Sequence, residues 1–500
     1  MVCDDASISF AQLERCSREV SQHLNAAGIG KGDRIGLMMP NGVGWALAAI
    51  GILRAGATLV PHSTLLRPPE WLAQINAGDL TSLITVRTYR GRHYLEDLKS
   101  ILPGAAADGA RCSEAPSLRR VWVWGETIGT TSLSGPQQPG PVVRPADDMV
   151  ILFSSGSRGT PKGTIHTHGC ALRAVAASLD DRCVREGDRL YVPMPFFWVG
   201  GLAGGLLTSI VGKVTLLTET APEPATTISF LKRERVTLFR GALAQVDGIA
   251  EHPSFDPADL PELRPGSLDQ ILPAHLRARP GARANLFGMS ETFGPYSGYP
   301  LDTDLPPGKA GSCGRPVPGI EVKVVDPDTR APVPPGHQGE IVLRGANLMR
   351  GIWGRERHHV FDADGYYATG DIGALDEDGF LWFRARRDDM FKVSGATVYP
   401  SDVEEGLLAI PGVDQAFVTA VPVGGKHAVG AVIVGAGLDL SAVETAARAR
   451  LSSFKVPSKW LVLQDKADVP RLATGKPDIL EMRRRLIAGG ERVGSPPSGS

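Results

Sequence analysis

From residue 154 the chain reads Ser154-Ser155-Gly156-Ser157-Arg158-Gly159-Thr160-Pro161-Lys162-Gly163, a run of hydroxyls and glycines with one lysine near its end. Glycines let backbone N–H groups close around an anion, hydroxyls add donors, and Lys162 adds positive charge. The chemistry this points to is phosphate binding. The apolar run Met149-Val150-Ile151-Leu152-Phe153 predicts a short buried strand that delivers the loop. Lys162 is followed by Gly163, so the G-x-x-x-x-G-K-[ST] spacing of a Walker A loop fails.

Three further short segments combine glycine with a charged or aromatic residue. Asn285-Leu286-Phe287-Gly288-Met289-Ser290-Glu291-Thr292 sets an aromatic ring four residues before an acid. Gly365-Tyr366-Tyr367-Ala368-Thr369-Gly370-Asp371 ends on a carboxylate, and Pro470-Arg471-Leu472-Ala473-Thr474-Gly475-Lys476 ends on a lysine. Taken one at a time these are an aromatic turn before a helix, a turn, and a solvated charge.

Composition narrows the partners. With 53 basic and 54 acidic residues the net charge is −1, which leaves no global field to recruit nucleic acid or an anionic membrane. Five hundred residues exceed what one hydrophobic core serves, so at least two domains are expected. Cys3, Cys16, Cys112, Cys170, Cys183 and Cys313 are scattered without a C-x-x-C pair. That argues against a disulfide framework and a cysteine zinc site, and suits a cytoplasmic protein. Asp4 and Asp5 stand where a signal peptide would carry basic residues. The uncharged stretch from Pro195 to Gly212 is marginal for a membrane span and opens on proline, so a glycine-rich buried helix lining a pocket is expected.

The elements alternate. Phe10, Leu13, Val20 and Leu24 recur at helical spacing, Arg34 to Met39 reads as a strand, Trp45 to Arg54 as a helix and Ala57 to Val60 as a strand. This alternation implies an α/β fold with a largely parallel sheet. Thr130 to Asp148, rich in Pro and Gly, predicts a surface loop. The run of arginines and aspartates from Arg384 to Asp389 marks a domain boundary. Beyond it Val398-Tyr399-Pro400-Ser401-Asp402 starts a capped helix, and Gln415 to Val421 reads as a strand. The expectation is a large N-terminal domain over 1–385, with mixed and parallel sheets packed by helices, and a small mobile α+β domain over 386–488. A disordered tail over 489–500 follows.

The glycine-rich loop resembles that of the acyl-adenylate-forming, AMP-binding superfamily, which includes acyl-CoA synthetases, luciferases and peptide-synthetase adenylation domains. The other segments fall in the family's order along nearly the whole chain. The resemblance implies that Ser154, Ser155, Gly156, Ser157, Gly159, Thr160 and Lys162 hold the ATP phosphates. It also implies that Phe287, with Gly288, Met289 and Ser290, flanks the adenine, and that Glu291 helps hold Mg²⁺ on the phosphates. One carboxylate is chemically sufficient for that, since magnesium fills its shell with phosphate oxygens and waters. By the same resemblance Asp371 accepts from the ribose hydroxyls, and Gly339-Glu340-Ile341 is a structural strand. Arg386 reaches ribose or phosphate, although Ala385 stands where the family's G-R-x-x-D has glycine. Asp388 is the hinge, and Ser394 and Gly395 in Lys392-Val393-Ser394-Gly395 line a CoA tunnel. Lys476 reaches the substrate carboxylate and the α-phosphate.

The implied reaction couples two steps. A carboxylate attacks the α-phosphorus of ATP and expels pyrophosphate, with Lys476, Lys162, the loop amides and Mg²⁺ stabilising the developing charge. A thiol then displaces AMP from the acyl-AMP. Met194-Pro195-Phe196-Phe197-Trp198-Val199-Gly200-Gly201 resembles the family's acyl-site motif P-x-F-H-x-x-G, with Trp198 where histidine is common. Phe197, Trp198, Gly200, Gly201 and Leu286 would line the acyl pocket. No acid lies between Met194 and Ser209 to pair with an ammonium, which disfavours amino-acid substrates. A hydrophobic carboxylic acid is the expected substrate, with CoA as acceptor and a monomer or homodimer as the assembly. The alternatives are an adenylating enzyme that serves an acyl-carrier protein or another nucleophile, and a non-catalytic nucleotide-binding module.

Overall fold

The computed structural model describes residues 1–103, 112–130, 140–154, 162–241, 243–393, 396–423, 426–472 and 475–489. Ser155, Gly156, Ser157, Arg158, Gly159 and Thr160 lie outside these residues, as do Ser394, Gly395, Thr474 and the tail from 490 on. So do the side chains of Ser154 and Asp388. The described chain forms two compact units, one of 1–322, 343–367 and 378–381, the other of 323–342, 368–377 and 382–500.

The first unit is built on a seven-stranded sheet in the order Gly351–Ile352, Lys162–Thr167, Asp148–Ser154, Thr58–Pro61, Arg34–Met38, Ser82–Thr85, Arg120–Val123. The pairings among Thr58–Pro61, Arg34–Met38, Ser82–Thr85 and Arg120–Val123 are parallel. Arg34–Met38 is buried on both faces after its first residue, as a central parallel strand requires. Helix Phe10–Ala26 starts at Ser9, whose hydroxyl accepts from Gln12 N while Gln12 returns a bond to Ser9 N. It packs with Val43–Arg54 through Val20, Leu24, Trp45 and Ile52. A second, five-stranded sheet holds Arg189–Tyr191, Thr215–Thr218 and Leu238–Phe239 in parallel with Val2–Cys3. The expected mixed and parallel α/β architecture is what forms.

Residues 195–212 depart from a single helix. A turn of α-helix over Val199–Gly201 passes into a π-helix over Leu202–Leu207 and returns to α over Thr208–Val211. The glycines at 204 and 205 tolerate the wider turn, and Thr208 Oγ1 donates to Ala203 O five residues back at 2.7 Å. Single π-turns inside helices recur at functional sites. The segment is buried, and among the described residues no helix is long and apolar enough to cross a membrane.

A four-stranded sheet of Ile320–Val325, Gly339–Gly345, Tyr367–Leu375 and Leu381–Arg386, in that order, has most of its residues in the second unit. The second unit also holds a three-stranded sheet of Gln415–Val423, Lys426–Val434 and Lys459–Leu463. Helices Pro400–Leu408 and Leu440–Arg450 cover that sheet through Val403, Leu407, Val443, Ala447 and Trp460. Pro400–Leu408 is not side-chain capped as the sequence suggested. Pro400 occupies the first turn, and the Ser401 hydroxyl instead donates to Arg384 O at 2.5 Å.

Candidate active site

Lys162 opens the strand Lys162–Thr167, which pairs antiparallel with Asp148–Ser154. Alternate residues of a strand share a face, so Lys162 and His166 point the same way. Facing them, Phe287–Met289 runs into the single 3₁₀ turn Ser290–Thr292 rather than a longer helix, and Phe293 at φ +54° turns the chain into Gly294–Gly298. This turn puts Glu291 beside Lys162. The two form a hydrogen-bonded ion pair through Lys162 Nζ and Glu291 Oε1. Tyr367 completes the group: Lys162 Nζ donates to its hydroxyl at 3.0 Å, and the hydroxyl donates to Glu291 Oε1 at 3.0 Å.

The electrostatics follow from this packing. Burial pushes the Glu291 carboxyl up, but the charge and hydrogen bond of Lys162, with Tyr367 adding, hold it below the ordinary carboxylate value. His166 Nε2 lies 2.7 Å from Ser290 O, bracing the turn that carries Glu291, and burial lowers its pKa to about 4. Neutral at ordinary pH, His166 donates that proton to the carbonyl. Neither Tyr367 nor His166 was singled out from the sequence. Tyr367 lies within the segment that ends on Asp371, where its type signals no role, and the sequence signal for His166 is its two-residue periodicity from Lys162.

The Phe287 ring packs edge-on against Tyr296 with centroids 5.3 Å apart. A Cβ at Gly288 would fall 2.2 Å from Gly294 O, so the two strand backbones touch there and only glycine fits. In the second unit, buried Asp371 accepts from Arg386 Nη1 at 2.7 Å, and Asp371 N is held by Thr369 Oγ1 at 2.9 Å. Lys476 is exposed on a turn closed by Leu472 N to Lys476 O and by Gly475 N to Leu472 O, each 2.8 Å, with Gly475 at φ +77°. Among the described residues no group of three or more His, Cys, Asp or Glu side chains could hold a metal by itself.

The acyl-motif segment is clamped by Asn41, a residue the motif reading passed over. Its Nδ2 donates to Met194 O at 3.1 Å, and its Oδ1 accepts from Phe196 N at 2.8 Å. Phe196 is wholly buried against Trp45, Phe197 meets Trp198 edge-on at 5.5 Å, and Trp198 is half-buried. The two glycines differ. A Cβ at Gly200 would meet the thioether of Met194, a flexible side-chain end. A Cβ at Gly201 would lie 2.1 Å from Pro195 O and 2.6 Å from Met194 O, so Gly201 is glycine because backbone passes over it. Leu286 packs toward Gly298 beside the Asp181 carboxylate. An open cavity of about 760 Å³ between Arg18, Arg54, Pro141, Leu172 and Ile210 includes none of these residues.

The profile of the family described as AMP-binding enzyme matches residues 1–353. The chain is 30% identical over 488 residues to a feruloyl-CoA synthase of Amycolatopsis sp, covering 96% of this chain and 94% of that one. It is 28% identical over 493 residues to a long-chain-fatty-acid–CoA ligase of Mycobacterium tuberculosis, covering 94% and 92%. Among solved structures, an O-succinylbenzoate Coenzyme A synthetase from Bacillus subtilis in complex with AMP shares the fold at TM-score 0.78 and 23% identity, covering 99% and 96%. The chain belongs to the AMP-binding enzyme family, and within it to the AMP-forming acyl-CoA synthetases.

Proposed function

We propose that the protein activates a carboxylic acid with an apolar body as acyl-AMP, releasing pyrophosphate, and passes the acyl group to the thiol of CoA. The observation that carries this reading is the meeting of Lys162 and Glu291, 129 residues apart, at the start of the strand that follows the glycine-rich segment. A cation and an acid held together in a partly dry site are what a nucleotide triphosphate and its counter-ion need.

In this reading Lys162 supports the phosphates, and Glu291 supplies the one protein carboxylate for Mg²⁺. Its Oε1 already accepts two hydrogen bonds here, so phosphate oxygens and waters would provide the rest of the ion's shell. Asp371 and Arg386 form the ribose contact, a carboxylate oriented by its cation. Lys476, exposed on its turn, stabilises the charge that develops when the acid attacks the α-phosphorus. Adenylation and thiolation use different arrangements of a small domain that begins near 386 and turns about Asp388, and Ser394 and Gly395 border the thiol path. Phe197, Trp198, Gly200 and Leu286 shape the acyl end.

The test is a panel of aliphatic, aryl and alicyclic acids with ATP, Mg²⁺ and CoA, reading pyrophosphate release and the mass of the product. Acyl-CoA formation supports the reading. Pyrophosphate release without acyl-CoA would move the acceptor to another thiol, and no release with any acid would overturn it.

A further inference from the structure

Two arginines behind the acyl-motif helix are desolvated, and among the described residues neither forms a salt bridge. Arg182 Nε donates to Ser178 Oγ at 3.2 Å, and among the described residues neither of its terminal nitrogens has a hydrogen-bond partner or an ion pair. Arg240 donates through Nη2 to the Arg182 carbonyl oxygen, and its buried Nε has no partner. Burial lowers the pKa of Arg182 to about 10 and that of Arg240 to about 9, with Arg182 adding to the shift of Arg240. Of the nearby acids, Asp188 pairs with Arg264 and Asp302 with Arg185, while the Asp181 carboxylate lies beside Gly298 and its charge acts on Arg182 against the effect of burial.

The direction of the Arg182 guanidinium is given by two glycines. A Cβ at Gly204, inside the π-helix of the acyl motif, would lie 3.1 Å from Arg182 Nη1. A Cβ at Gly294, just beyond the turn that carries Glu291, would lie 3.7 Å from Arg182 Nη2. The fork thus lies between the acyl-motif helix and the strand that continues the nucleotide segment. Gly204 lies one helical turn beyond Gly200 of the expected acyl wall.

We propose that Arg182, supported by Arg240, recognises a second carboxylate at the far end of the substrate, so that the acid activated is a dicarboxylic acid joined by an apolar body. This rests on the acyl pocket lying along Phe197 to Gly204, as proposed above. A planar guanidinium with both terminal nitrogens open binds a carboxylate through two parallel hydrogen bonds. A buried cation left unmatched by a monocarboxylic acid penalises that substrate, which is how a polar pocket discriminates.

The experiment compares hexanoate with adipate, and benzoate with terephthalate, by pyrophosphate release in the wild type and in Arg182→Met. The wild type should prefer the diacid of a pair by roughly 100-fold in kcat/KM. Arg182→Met should remove that preference while retaining turnover of the monoacid, and Arg182→Lys should restore part of it through KM. Thermal denaturation checks the fold. Should Arg182→Met not fold, the wild-type ratio and Arg182→Lys decide. Turnover of monoacids with no preference for diacids, or a preference that Arg182→Met leaves intact, overturns this proposal alone. No turnover with any acid overturns the ligase reading and this inference with it.

Discussion

Lys162 and Glu291 are held together by an ion pair that Tyr367 closes into a triangle, its hydroxyl 3.0 Å from both partners. Three segments distant in sequence thus converge on one carboxylate oxygen. Glu291→Gln keeps the shape and removes the charge. We expect adenylation to fall by about 100-fold or more, the scale for losing one preorganised charge at a phosphoryl centre. Because Glu291 titrates below its ordinary value, its stabilisation is present at neutral pH and lost as pH falls below about 4.5. The variant should show a flatter acid limb in denaturant titrations. An unchanged pyrophosphate rate would remove Glu291 from the site.

Lys476→Ala should lower acyl-AMP formation by at least about 100-fold while leaving thioester formation from supplied acyl-AMP largely intact. The side chain stands exposed on a closed turn, so its loss leaves the fold undisturbed. Equal loss of both half-reactions, measured in single turnover, would take Lys476 out of its assigned role.

The acyl-motif glycines separate packing from specificity. Gly201→Ala drives a methyl into the Pro195 carbonyl and should destabilise the protein by about 2 kcal/mol or more. Gly200→Ala meets only the mobile end of Met194, so it should fold and shift the acid profile toward smaller substrates. Melting temperatures and a paired-acid panel measure the two effects. A Gly201→Ala protein as stable as wild type would contradict the backbone contact.

Two buried histidines predict acid sensitivity. Burial lowers the pKa of His166 to about 4 and of His62 to about 3, from an ordinary 6.5. Below 6.5 the unfolded chain takes up protons that the folded chain refuses, so stability falls as pH drops toward these values. Each group contributes a slope of about 1.4 kcal/mol per pH unit. His62 lies wholly buried with neither ring nitrogen partnered among the described residues. His62→Leu should therefore be neutral or stabilising at pH 7, and should flatten the dependence between pH 4 and 6. A loss of stability at pH 7 would falsify this assignment.

Much of the chain was legible one segment at a time. The helical spacing of Phe10 to Leu24, the strand at Arg34, the helix up to Arg54 and the buried run from Met149 all form near their expected bounds. These are local signals, since a period of two or 3.6 and the turn residues around it depend only on neighbours in sequence. The motif order carried the family for the same reason, because each motif is a short stretch of required residue types. What tertiary structure alone decided is who meets whom. The partnership of Tyr367 with Lys162 and Glu291 and the bracing of the Glu291 turn by His166 are contacts across many residues. So are the backbone crossing that makes Gly201 obligatory and the paired arginines behind Gly204. No periodicity encodes such contacts. They follow from how sheets and helices close over one another, and that closure turns a list of polar residues into a site with a charge, a wall and a depth.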